Sequence, residues 1–271
     1  MDVYYAQNRE DLLIRQFFPD IERGRYVDIG ANHPEFHSVS KLFYDAGWSG
    51  VNVEPIRAIY DELVAARPRD LNLNVGVSDA PGELALTVYP DADGLSTFND
   101  ELAEEYRRGD SFYAPTTRRS VRVMVPVVTI AQLGSEHDLG HVHWMKIDVE
   151  RLEYEVITGY DWTSVRPELL CIEDSSTPER DWHSHLLAAR YQQVFYDGLN
   201  RYYLAEEALE RQSFFSYPEA VLDRGWVSQG ALEQMRSELM PFTDLSARPA
   251  GELTGALLTK AKRRLRRLFG R

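Results

Sequence analysis

Tyr26-Val27-Asp28-Ile29-Gly30-Ala31-Asn32 is the stretch that most restricts the fold, an apolar strand running straight into Asp-x-Gly-x-Asn. A doubly wound α/β sheet binds ligands beyond the carboxyl ends of its strands, so chemistry-bearing residues collect there. Gly30 lets the backbone approach a ligand that any Cβ would hold off. Asp28 can hold a cationic group, such as the amino group or sulfonium region of a methyl donor. A nicotinamide dinucleotide would bring a pyrophosphate, which wants glycines and a bare helix N-terminus. No Gly-x-Gly-x-x-Gly stands at this strand end. The same residues also suit a plain strand ending in a tight turn.

The rest of the chain supports the α/β reading. Helical patterns over 10–18, 38–46 and 56–66 alternate with strand-like runs over 25–30, 51–54, 71–77 and 82–89. Gly47 is a natural helix stop. Three further apolar strands are expected over 121–128, 143–149 and 168–173, then a hairpin from 190–196 and 201–205 around Asp197-Gly198-Leu199-Asn200. Alternation of this kind implies a mostly parallel sheet covered on both faces. Residues 90–120 are polar and contain one short helix near 100–108, and a connection that long is usually functional. The expected organisation is a Rossmann-like domain over 1–210 and a helical appendage over 211–271.

Candidate site residues lie at the strand ends. Glu54, held extended by Pro55, can accept both ribose hydroxyls of an adenosyl or nicotinamide cofactor, or can be a solvated acid. Ser78 and Asp79, at the end of the next strand, suit the edge of an adenine or a simple turn. The strand 143–149 sends Lys146 and Asp148 to one face, two residues apart. Asp148 is the first candidate for a general base or metal ligand, and Lys146 for its ion-pair partner or a catalytic group. Glu173 and Asp174 end the next strand, and with Asp148 they would suit Mg²⁺ or Mn²⁺, or simply form an acid cluster that shapes a pocket. His33 and His37 flank Pro34-Glu35-Phe36, and His33 is a rival base because imidazole titrates near neutrality. His183 and His185 are read as surface positions. Tyr106, Phe112, Tyr113 and Trp182 are available to stack on an acceptor, or to pack.

Six blocks occur in order: Gln7-Asn8-x-Glu10-Asp11, Val27-Asp28-Ile29-Gly30-Ala31-Asn32, Asn52-Val53-Glu54-Pro55, Gly94-Leu95-Ser96-Thr97, Lys146-Ile147-Asp148-Val149-Glu150 and Asp197-Gly198-Leu199-Asn200-Arg201-Tyr202. Together they resemble the FkbM family of methyltransferases over about residues 5–206. The resemblance implies a class I methyltransferase fold, with a seven-stranded sheet and a C-terminal antiparallel hairpin. It also implies S-adenosyl-L-methionine as donor and a hydroxyl acceptor, often a sugar of a bacterial surface glycan or its sugar-nucleotide precursor, in some members a macrolide. Mapped onto this chain it places the donor near Gln7, Asp28, Gly30, Asn32 and Glu54, and the acceptor near Ser96, Glu150, Asp197 and Asn200; Ser78 and Asp79 join the donor set on their strand-end position alone. Arg151 departs from the pattern, because the family usually has glycine after Asp-Val-Glu.

Charge narrows the alternatives. The chain carries a net charge of −13, and residues 260–271 hold seven Lys or Arg and no acid, which leaves −20 on the rest. Such an acidic body argues against binding nucleic acid, since nothing there would neutralise a run of phosphates. The basic, amphipathic 252–271 could lie at the inner face of a membrane or pack on this or another subunit, so a homo-oligomer stays open. Cys171, the single cysteine, lies in an apolar run and is expected as a core thiol. The opening residues show no signal peptide and no run approaches a membrane span, so the protein is expected in the cytoplasm. An oxidoreductase or a non-catalytic scaffold for glycan assembly are the rival readings.

Overall fold

The structure is a computed structural model of the 271-residue chain, and it describes residues 3–109, 113, 115–216 and 227–228. The chain divides into two compact units, Tyr5–Arg224 and a second made of Met1–Tyr4 with Gly225–Arg271. In the second unit the described residues form one short parallel pair, β1 (Val3–Tyr4) with a strand over Val227–Ser228. The basic segment 252–271 lies outside the described residues. Among those described, no helix is long and apolar enough to cross a membrane.

The larger unit runs α1 (Glu10–Phe17), β2 (Arg25–Ile29), α2 (Lys41–Asp45), β3 (Ser49–Val53), α3 (Arg57–Ala66), β4 (Leu71–Leu73), β5 (Gly76–Val77) and β6 (Gly82–Val88). It continues through α4 (Asp100–Arg108), β7 (Val121–Val128), α5 (Ile130–Glu136), β8 (Trp144–Ile147), α6 (Glu153–Thr158), β9 (Leu169–Glu173), α7 (His183–Ala188), β10 (Tyr191–Tyr196) and β11 (Asn200–Ala205). A 3-10 helix, Glu206–Ser216, follows and runs through residue 210.

The main sheet has seven strands in the order β10-β11-β9-β8-β2-β3-β4. The pairs from β9 to β4 are parallel, whereas β11 pairs antiparallel with both β9 and β10. Tyr26, Val27, Asp28 and Ile29 on β2 are all buried, as are all four residues of β8. Strands covered on both faces read as continuous apolar runs, and Asp28 is the charged exception within β2. One face of the sheet packs Tyr26 on Trp144, stacked at 5.0 Å, with Phe43 and Trp48 around them. Cys171 is fully buried on β9 and pairs in register with Lys146 of β8.

Two expected strands lie elsewhere. β6 and β7 form a separate three-stranded sheet with β5, and Val121, Val123 and Met124 of β7 are exposed rather than in the core. The run 71–77 breaks into β4 and β5 because the Asn74 amide donates to the carbonyls of Glu54 and Pro55 at 2.9 and 3.0 Å and turns the chain. Gly76 then takes the ring of Phe98 against a backbone where a Cβ would come within 2.7 Å of it. Helix limits follow local signals. Asn99 caps α4 by accepting from Leu102 N–H at 2.9 Å, and Gly109 ends it at φ 81°. Thr129 and Gln132 form a reciprocal capping box on α5.

Candidate active site

Parallel pairing sets the carboxyl ends of β2, β3, β8 and β9 side by side. Asp28 pairs with Lys146, Lys146 with Cys171, and Ile147 with Ile172. Asp148 therefore falls beside Glu173, on the face that Lys146 shares, because side chains alternate along a strand. A cavity of about 640 Å³ opens over these ends, and Asp28, Gly30, Asn32, Glu54, Lys146, Asp148, Glu150 and Glu173 all line it.

One half of the cavity is built from β2 and β3. The Ser40 hydroxyl donates to Asp28 Oδ2 at 2.6 Å, while Asp28 Oδ1 is buried without a partner. Burial raises the pKa of Asp28, and Lys146, the Ser40 bond and Arg67 work against that rise. Glu54 is buried and bridges two chain segments, accepting from Ile56 N–H at 2.7 Å and from Asn32 N–H at 3.0 Å. Burial lifts its pKa from 4.5 to about 7 although both amides favour the charged form. Each oxygen keeps a lone pair for a further donor. Gly30, at φ +82°, lines the cavity and has a further reason to be glycine: a Cβ there would sit 1.8 Å from the carbonyl oxygen of Asp148. The glycine admits a neighbouring strand, and it also supplies a left-handed turn that L side chains resist.

The other half holds the acids. Lys146 Nζ donates to Asp148 Oδ2 in a part-buried ion pair. Burial opposes the Lys146 charge, but Asp148 and Asp28 outweigh it and raise its pKa. Carboxylate oxygens of Asp148, Glu150 and Glu173 lie within 4.8 Å of one another. Glu150 is raised well above the carboxylate range by burial and then by Asp148, and Glu173 by Asp148 and then by burial. Like charges this close cannot all ionise without a cation between them. Glu153 lies beneath them, fully buried, accepting from Val149 N–H at 2.9 Å and from the Ser175 hydroxyl. Glu150 and Arg151 both have positive φ, 51° and 71°. The chain across the cavity clasps that turn. Thr97 Oγ1 donates to Glu150 O at 2.6 Å, Asn99 Nδ2 to Arg151 O at 3.4 Å, and Arg151 pairs with Glu105 at 2.8 Å.

The structure sorts the remaining expected residues. Gln7, His33 and Ser96 line the cavity. His33 Nδ1 accepts from the amides of Glu35 and Phe36 at 3.0 Å, and its Nε2 faces Glu62 at 3.5 Å, so both ring nitrogens have neighbours within its own wall. Ser96 Oγ accepts from Tyr89 N–H at 3.2 Å. Ser78 and Asp79 are not brought there; Val75, Gly76 and Val77 form that wall instead, and Ser78 bonds to Asp79. Asp197 and Asn200 staple the β10–β11 turn, Asp197 Oδ1 accepting from the amides of Leu199 and Asn200 at 2.8 and 2.7 Å. Asp174 is not the third member of the acid group. It points to the other face of β9, where Arg201 holds it at 2.8 Å, and its pKa is lowered even though burial works the other way. Glu150 takes the third place.

Of the aromatics, Tyr113 lines the cavity, Trp182 is fully buried in the main core, Tyr106 packs with Tyr89 and Leu102, and Phe112 lies outside the described residues. His183 and His185 are half-buried and hydrogen-bonded, to Ser176 at 3.0 Å and to Tyr160 O at 2.8 Å. Glu10 belongs to the site although no strand end marks it. It lines the cavity from the start of α1 and receives Asn200 Nδ2 at 3.0 Å. Its signal is an acid opening an apolar helix, which reads as ordinary helix-dipole chemistry.

A mostly parallel α/β sheet with a cavity over its strand ends has the form of a methyltransferase-like fold. The chain belongs to the FkbM family, whose methyltransferase domain model matches residues 28–206. No curated protein matches the chain.

Proposed function

We propose that the protein transfers the methyl group of S-adenosylmethionine to a hydroxyl oxygen, the acceptor being a sugar of a bacterial surface glycan or its precursor. The charge of the cavity carries this reading. Among the described residues, Lys146 is the one Lys or Arg in its lining, and it is already paired with Asp148. A sulfonium donor is drawn to such a lining, whereas the pyrophosphate of a dinucleotide is repelled. Asp28 would hold the cationic end of the donor and Glu54 its ribose hydroxyls, with Val53, Ile56, Val75 and Val77 as apolar walls.

Methyl transfer to an alcohol is an in-line displacement that releases a proton. Asp148, paired with Lys146, is the base nearest the strand end. The grouping of Asp148, Glu150 and Glu173 within 4.8 Å favours a second form of the reading, in which the three carboxylates hold Mg²⁺ or Mn²⁺. That ion would polarise the acceptor hydroxyl and lower its pKa. The acceptor reading draws on family membership and on the aromatic Tyr113 and Phe36, about half exposed, at the cavity wall.

Calorimetry with S-adenosylhomocysteine and with NADH tests the donor: the first binds and the second does not, and absence of S-adenosylhomocysteine binding overturns the proposal. Asp148→Asn is expected to abolish methylation while donor affinity stays near wild type. Unchanged turnover removes Asp148 from the reaction, and full activity in EDTA removes the metal.

A further inference from the structure

Ser40 is fully buried at the N-cap of α2, yet its side chain makes no cap hydrogen bond. A serine there normally accepts from a helix amide. A hydroxyl has one proton and two lone pairs. Here the proton goes to Asp28 Oδ2 at 2.6 Å, and a lone pair receives Arg67 Nη1 at 2.5 Å. Arg67 is itself 1% exposed, and its other terminal nitrogen donates to Pro34 O and, at 2.6 Å, to Ser38 Oγ. Burying a guanidinium is costly unless its donors are satisfied and a counter-charge is near. This one reaches Asp28 through a single hydroxyl, its charge also acts on Asp70, and its Nε is left without a partner.

The geometry of α3 extends the point. Arg67 directly follows Arg57–Ala66, and Ile56, directly before it, donates to Glu54. One helix is thus tied at its start to one proposed donor acid and at its end, through Ser40, to the other. The segment 34–38 that Arg67 also holds includes Phe36 and His37, both in the cavity wall.

We propose that Ser40 and Arg67, which do not line the cavity themselves, are positioning residues for the donor: Ser40 orients the Asp28 carboxylate so that Oδ1 is left for the ligand, and Arg67 locks that serine to the 34–38 segment. The inference rests on the donor reading above.

The test is calorimetric binding of S-adenosylhomocysteine to the full chain, with circular dichroism to check folding. Ser40→Ala is expected to weaken binding about tenfold, equivalent to about 1.4 kcal/mol. Ser40→Cys, which keeps the shape at a slightly larger size but donates weakly, is the second variant and falls between. Introduced beside Asp28→Asn, Ser40→Ala is expected to add almost nothing, because the two side chains act as one unit. Wild-type affinity in both folded serine variants overturns the proposal, and so does a full additional loss beside Asp28→Asn, which marks general damage. If the wild type binds no S-adenosylhomocysteine, the donor reading falls and takes this inference with it.

Discussion

At the scale of single residues, Glu54 joins position to titration. Its carboxylate sits between two amides, and burial holds its pKa at about 7. Ribose hydroxyls donate to the ionised form, so donor affinity is expected to rise as pH increases through about 7 and level off above it. Glu54→Gln should weaken binding and flatten that profile; a profile unchanged by the substitution assigns the titration elsewhere. The acids proposed for the donor were legible because each breaks an apolar strand at its end. Gly30 was legible as a necessary glycine, but its second reason was not, since the carbonyl it makes room for arrives from Asp148, more than a hundred residues later. Ser40 and Arg67 left no mark in the sequence, because a serine before a helix and an arginine after one are ordinary capping residues.

Between residue and fold, alternation and turns decide which acids meet. Glu173 and Asp174 are neighbours in sequence and so point to opposite faces of β9, which sends Asp174 to Arg201. Glu150 reaches the group instead because a left-handed pair turns the chain back, and non-glycine residues in that conformation carry no sequence signature. A residue with a Cβ pays about 1 kcal/mol or more there relative to glycine. Arg151 recovers part of this through a half-exposed pair with Glu105, worth about 0–1 kcal/mol. Arg151→Gly is therefore expected to be as stable as wild type or slightly more so, and more stable than Arg151→Ala by about 1 kcal/mol. Urea unfolding of the three proteins checks the order. In the same way Asn74, a polar residue inside a strand pattern, proved to be the break that sends β5 into a second sheet.

Across the whole molecule, buried acids set the pH response. Burial raises Asp11, Glu54 and Glu153 to about 7, from ordinary values of 3.8, 4.5 and 4.5. Between the ordinary and raised values the folded chain holds protons that the unfolded chain has lost, so stability falls as pH rises through that window. The ligand-free protein is expected to need less urea for unfolding at about pH 8 than at about pH 5. A higher midpoint at the alkaline end would show that other groups dominate. The main sheet was legible from alternating helix and strand periods. The side sheet was not, because β6 and β7 satisfy the same period while one of them stays exposed.

The lone thiol gives this architecture an internal clock. Cys171 lies within the sheet with no solvent exposure, so a thiol reagent in water meets it only when the layer packed over that face of β9 opens. The rate of modification then counts those openings, with no added probe. A ligand that binds only the closed form lengthens the interval between openings by a factor of one plus the ratio of free ligand concentration to Kd. Binding of the proposed donor is thus expected to register in how long one sulfur stays unreacted.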